Sequence, residues 1–274
     1  MKTNTRNAIR SASLVLLVAP AFAVHAQGNS ACNDLPSYSA LKSALQAAVA
    51  TETSGLNKHM WGTLVARDGT VCAVAFSGAN LGAQWLASRV ISAQKANTAN
   101  SLSLDASSAS NGSGGALALS TANLYSAVQP GGSLFGLQFS NPVDPSVAYK
   151  GASQQFGTAN DPMVGERIGG INVFGGGLAL YAKGGTLVGA VGVSGDTSCA
   201  DHNIAWRVRQ NLGLDFLATI PGPASIFAGD ATHPDNIIFD IAPNPFGGTG
   251  VSASGFGHPG CLNASDPRTL PPVE

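Results

Sequence analysis

Apolar residues recur along this chain with two periods. Leu41, Ala44, Leu45, Ala48 and Val49 fall at i, i+3, i+4, i+7 and i+8, one face of a helix. Pro36-Ser37 opens that helix and Gly55 closes it. Two shorter runs, Met60–Ala66 and Thr70–Phe76, are rich in β-branched and aromatic residues and are joined by Arg67-Asp68-Gly69. An Asp-Gly between such runs predicts a hairpin. A second helix is predicted from Trp85 to Leu102, with Leu86, Val90, Ala93 and Asn97 along one face.

Order then weakens. Residues 105–115, "DASSASNGSGG", read as a flexible loop. "TANLYSAV" is a short helix that stops before Pro130-Gly131-Gly132. From Ser133 to Ile168 turn residues dominate, with one short helix near Ser146–Phe156. Two strands follow, Gly177–Ala182 and Leu187–Val193, turning at Lys183-Gly184-Gly185. Ser198-x-x-Asp201 is a capping-box-like pattern, with Ser198 as the expected N-cap. Ile204, Val208 and Leu212 continue that helix, cationic Arg207 and Arg209 suit its C-terminal half, and Gly213 stops it. Beyond Gly222 the chain is rich in Pro, Gly and Asn, as an extension wrapped over a domain would be. The expected fold is α/β of the α+β type. A largely antiparallel sheet with packed helices spans residues 35–217, with an irregular insertion at about 103–168 and a loop-rich extension over 218–274.

The N-terminus changes the compartment. Lys2, Arg6 and Arg10 precede an apolar run from Ser11 to Ala23, and Val24-His25-Ala26 is a cleavage site of the A-x-A kind. Residues 1–26 therefore read as a secretory signal peptide, and the expected location is periplasmic or secreted. Cleavage removes three positive charges and no negative ones, taking the formal net charge from −1 to −4. A mildly acidic chain without a basic cluster is a poor partner for nucleic acid or anionic lipid, and no later run is apolar enough to span a membrane. The four cysteines lie after residue 26, and an even count in an exported chain favours disulfides. Three pairings are open. The preferred one is Cys32–Cys261, joining the loop-rich ends, with Cys72–Cys199, joining a strand to the last helix. No C-x-x-C or C-x-x-C-H occurs, which argues against a redox motif, a zinc knuckle and covalent c-type haem.

These elements carry a resemblance. The hairpin "LVARDGTVCAVAF", the segment "SAQKANTAN", the turn Pro130-Gly131-Gly132, the run "FGGGLALYAKGGTLVGAVGVSG" and Asp201 followed by Ala205 occur in order. Together they resemble the GlcG/HbpS family of haem-binding-like proteins over roughly Leu41–Leu214, most specifically in the Gly189–Gly195 run. The resemblance implies a compact, profilin-like α/β domain, assembly into homo-oligomers, and haem or another tetrapyrrole as cofactor or ligand. Fold membership alone does not settle function.

Candidate ligand-binding residues cluster around one turn. His202, in the first turn of the last helix, is the leading candidate for a haem-iron ligand, and His59 is the second. A helix N-terminus disfavours a protonated histidine, and an ordinary surface or core histidine is the commoner outcome at such a position. Lys95 and Thr98 are candidates for a carboxylate or propionate, against an ion pair with a surface acid for the lysine and a bond back to its own helix for the threonine. Gly175, Gly176, Gly177, Ser194 and Gly195 allow close backbone approach beside a helix start, against simple turn geometry. These residues are expected to line one pocket. His233 and His258 are expected to be solvated.

Enzyme signatures are sparse. G-x-S-x-G, H-E-x-x-H, the P-loop and a dinucleotide fingerprint are missing from the sequence. A Ser194–His202 nucleophile pair has no third orienting residue. Three readings follow: an exported haem or tetrapyrrole binder, a small-molecule enzyme with Lys95 and Asp201 as acid–base groups, and a structural or stress-related oligomer without ligand.

Overall fold

The computed structural model describes Met1 and residues 30–108, 115–223, 231–263 and 269–274. Residues 2–26 of the expected signal peptide lie outside the described residues, as does most of the 105–115 loop. Helix α1 (Tyr38–Thr51) starts where expected: Ser37 is its N-cap and accepts from the Ala40 N–H at 3.3 Å. Strands β1 (Trp61–Ala66) and β2 (Val71–Phe76) form the hairpin, with Gly69 at φ +87° in its turn. Helix α2 spans Ala87–Leu102. Leu86 stands at its N-cap, 58 % exposed, and so leaves the predicted apolar face.

The 133–168 stretch is irregular. Its helical content is α3 (Pro145–Ala148) and short 3₁₀ turns. "TANLYSAV" is two 3₁₀ turns, Thr121–Leu124 and Ser126–Val128. Strands β3 (Gly177–Ala182) and β4 (Thr186–Ser194) precede α4 (Ser198–Asn211). The N-cap of α4 is Thr197, one residue earlier than expected. Two-residue strands β5 (Ile241–Ala242) and β6 (Val251–Ser252) pair within the extension.

The four long strands form one antiparallel sheet in the order β2-β1-β4-β3. Alternation along β1 divides two cores. Trp61 and Val65 pack with Val74, Val90 and Ala93, on the side of α2. Leu64 packs with Leu41, Leu45, Val191 and Ile204, on the side of α1 and α4. Burying a side chain of this size stabilises by roughly 1.5–3 kcal/mol. Gly192 lets α2 lie close to β4: a Cβ there would sit 1.9 Å from the Ser92 carbonyl oxygen. Both sheet edges are capped by irregular chain, β2 through Val71 N–H to Glu166 O and β3 through Tyr181 N–H to Leu214 O, each at 2.8 Å.

The cysteines pair as Cys32–Cys72 and Cys199–Cys261, correcting the expected Cys32–Cys261 and Cys72–Cys199. The Ser30–Cys32 turn comes back to the hairpin, while the extension crosses the start of α4, so each cysteine meets a different partner. The extension also bonds directly to α4. Arg209 and Asp235 form a fully buried bidentate pair at 2.6 and 2.9 Å, and Trp206 Nε1 donates to Pro271 O at 2.9 Å. His233 and His258 are buried, not solvated. His233 stacks on Trp206 and pairs with Leu270 O, and His258 pairs with Ser198.

Candidate functional site

The end of β4 meets the first turn of α4 against the middle of α2. Lys95, reaching across from α2, donates to Asp201 Oδ2 at 2.6 Å and to Val193 O at 3.0 Å, and its Nζ lies 4.3 Å from the Phe174 ring centroid. Asp201 turns back over the strand end and accepts from Gly195 N–H at 3.1 Å and Asp196 N–H at 2.8 Å. It therefore ties the β4–α4 turn together, while Thr197 caps the helix by accepting from Ala200 N–H. The pair is completely buried. Burial raises Asp201 to about 6 against the opposing pull of Lys95, and burial lowers Lys95 against the opposing pull of Asp201.

The three glycines let these parts touch. A Cβ on Gly176 would sit 2.3 Å from Val193 O and 3.0 Å from Lys95 Nζ; one on Gly175 would sit 2.9 Å from His202 Cβ. Gly175 N–H donates to Ser198 Oγ at 2.7 Å and Gly177 N–H to Thr121 Oγ1 at 2.8 Å. Gly176 also needs its φ of +115°.

His202 is fully buried, 6.1 Å centroid to centroid from Trp206, and neither ring nitrogen has a hydrogen-bond partner. Burial, reinforced by Arg209 and His258, pushes its pKa down to about 3; the neighbouring Asn236 side chain opposes this without reaching hydrogen-bond geometry. The imidazole is neutral at any ordinary pH. A buried, unpaired ring N–H costs on the order of 1–3 kcal/mol.

All the expected site residues are buried: Lys95, Thr98, Gly175, Gly176, Gly177, Ser194, Gly195 and His202. Thr98 takes the local option, donating to Gln94 O at 2.7 Å and accepting from Asn172 N–H at 2.9 Å. Lys95 pairs with a buried acid, not a surface one. Ser194 and His202 make no hydrogen bond to each other, so the nucleophile pair is not formed. His59 is exposed, beside Ser77 and Phe76. Phe174 lies against Lys95, and His258 of the extension reaches Ser198 at the start of α4. Sequence reasoning missed Phe174, Asn236 and His258 as members of this cluster. Phe174 directly precedes the glycines and was a usable signal; the other two sit 34 and 56 residues beyond His202, with nothing local to link them to it.

For a haem, the donor fits: His202 is a neutral imidazole with both nitrogens unengaged. The ring is fully buried and reaches no open surface. A cavity of about 660 Å³ does open elsewhere, between Gln129–Ser133 and Thr249–Phe256, but its walls carry no histidine, methionine, cysteine or charged group. Among the described residues no three His, Cys, Asp or Glu side chains are grouped to hold a metal ion, and no helix is long and apolar enough to cross a membrane.

A four-stranded antiparallel sheet between α2 and the α1–α4 pair, with a glycine-lined strand end facing α4, defines an α+β architecture. The chain belongs to the HbpS-like family: residues 37–209 match the family described as haem degrading protein HbpS-like. Among solved structures it is similar to the PduOC:haem complex, at 21% identity over 64% of this chain and 91% of that one, with a TM-score of 0.41. It is also similar to Klebsiella pneumoniae protein ORFY, at 25% identity over 65% and 90%, with a TM-score of 0.40. No curated protein matches the chain.

Proposed function

We propose that this is an exported HbpS-like protein that binds haem or a related tetrapyrrole, with His202 as the iron ligand. The observation that carries the reading is the neutral, buried and unpartnered imidazole of His202 at the start of α4. The family supports a tetrapyrrole as the guest. The N-terminal pattern and the two disulfides support an oxidising compartment outside the cytoplasm. Gly175–Gly177, Ser194 and Gly195 would give the guest close access to backbone, and Lys95 and Thr98 would face its carboxylates after exchanging their present partners, Asp201 and Gln94 O. A homo-oligomer is part of the same proposal, from the family resemblance.

The test is a haemin titration of the mature protein and of His202→Ala. Saturable binding with a Soret band, shifted in the variant, is the expected result. A Soret position and affinity that do not change in His202→Ala would remove the ligation claim.

The Lys95–Asp201 pair favours a second reading, small-molecule acid–base chemistry at the same place. Burial draws the two pKa values towards each other, as a proton-exchanging pair requires. Failure of the mature protein to bind haemin saturably, together with turnover of a small molecule that Asp201→Asn abolishes, would favour it.

A further inference from the structure

We propose that residues 231–263 of the C-terminal extension form an intramolecular lid on this site, fastened by the Cys199–Cys261 disulfide and by His258. The lid regulates access to the site proposed above; it rests on that reading only for the identity of the guest.

The fastening converges on one helical turn. Cys199 and His202 are three residues apart on α4, so they share a face, and the disulfide draws the extension onto the face that carries His202. Beside it, Ser198 Oγ lies 2.7 Å from His258 Nε2. The His258 ring is oriented from its other side, where Nδ1 lies 2.7 Å from Pro259 O. A carbonyl only accepts, so Nδ1 carries the proton and Nε2 accepts from the Ser198 hydroxyl. That hydroxyl in turn accepts from Gly175 N–H at 2.7 Å. One serine thus joins the lid, the helix start and the glycine segment. Burial lowers the His258 pKa and keeps this neutral tautomer in place.

Around Cys261 the apolar part of the lid is small, while Ile220, Leu270 and Val273 anchor the extension in the main core elsewhere. Ile237 packs with Cys199, Ala122 and Cys261. Further ties to the domain include discrete polar contacts: Ser126 N–H and Oγ–H to Gly257 O, Asn123 Nδ2 to Asn236 O, Asn263 Nδ2 to Gly55 O, and the Arg209–Asp235 pair. Beneath it lie Lys95, Asp201 and the imidazole of His202. A cover with a purely structural role has no need of a buried histidine without a partner; a cover that lifts from a ligand site explains one.

The experiment is carbethoxylation of histidines by diethyl pyrocarbonate in the full mature chain, read residue by residue by mass spectrometry. Wild type, Cys261→Ser and His258→Ala are compared, with exposed His59 as the internal standard. His258→Ala keeps both disulfides, so the test survives if Cys261→Ser fails to fold. His202 is expected to be protected in wild type and to react at least tenfold faster in the opened variants. His202 reacting like His59 in wild type, or staying as protected in both folded variants, would overturn the lid. Haemin added to the same samples separates the two proposals. Labelling that opens without saturable haemin binding retains the lid and removes the tetrapyrrole.

Discussion

Gly192 in the sheet and Cys261 in the extension are both points where distant chain segments touch, and they hold their surroundings in different ways. At Gly192, α2 lies against β4 because the side chain is missing, within a layer where Trp61, Val65, Val90 and Ala93 pack closely around one buried Thr63–Ser92 hydrogen bond. Removing one member there disturbs every neighbour, because close packing transmits the strain. At Cys261 the contact is one covalent bond, one serine–histidine hydrogen bond and a few backbone bonds around a small apolar patch. Discrete ties can be removed one at a time. The sheet core should therefore fail as a unit and the extension should loosen locally, and substitutions in the two regions can break that contrast.

The largest effect is expected from Gly192→Val. A Cβ 1.9 Å from the Ser92 carbonyl has no room unless α2 moves. A loss of about 4 kcal/mol or more, or no folded protein at all, is expected in denaturant unfolding. A loss under about 1 kcal/mol would show that α2 does not pack as described.

Asp235→Ala comes next. It leaves Arg209 buried without its partner, which costs about 3–5 kcal/mol. Native-state hydrogen exchange should locate the loss in residues 231–240 and the C-terminal half of α4, with the sheet amides less affected. Equal acceleration in β1 and β4 would mean that the extension and the sheet unfold together, and the contrast would fail.

A smaller effect is expected from pH. The folded-state pKa of His202 is depressed to about 3, so the unfolded chain takes up its proton first as pH falls. Stability from the neutral ring is present above about pH 6.5 and is lost as pH falls towards 3. Asp201, raised to about 6, acts in the opposite sense, its contribution being present at low pH and lost as pH rises through 6. Comparing wild type with His202→Gln keeps Asp201 in both and isolates the histidine. Between pH 7 and pH 4.5 the variant should gain about 2–3 kcal/mol relative to wild type. A constant difference across that range would mean that the ring is already accessible to protons.

The same contrast governs how much was legible in the sequence. The α1 face, the Asp68-Gly69 hairpin and the β3–β4 turn are written in local periods and turn residues, and they appear in place. The start of α4 moved by one residue because Thr197 and Ser198 are both competent caps, and Ser198 is engaged with Gly175 and His258. The site was partly legible: strand-end glycines beside a helix start drew attention to the right turn, and Lys95 and Asp201 were both singled out. Their pairing, 106 residues apart, was not, because no local pattern encodes it. The cysteine pairing and the burial of His233 and His258 were misread for one reason. Both depend on the path of an extension that has almost no regular structure.

The most direct test of the closed site is the proton NMR titration of the His202 ring Cε1–H in the full mature chain. The account predicts a shift that stays flat from pH 8 to pH 4.5 in wild type and titrates near pH 6.5 in Cys261→Ser. A wild-type resonance that titrates with a midpoint near 6.5 would contradict it.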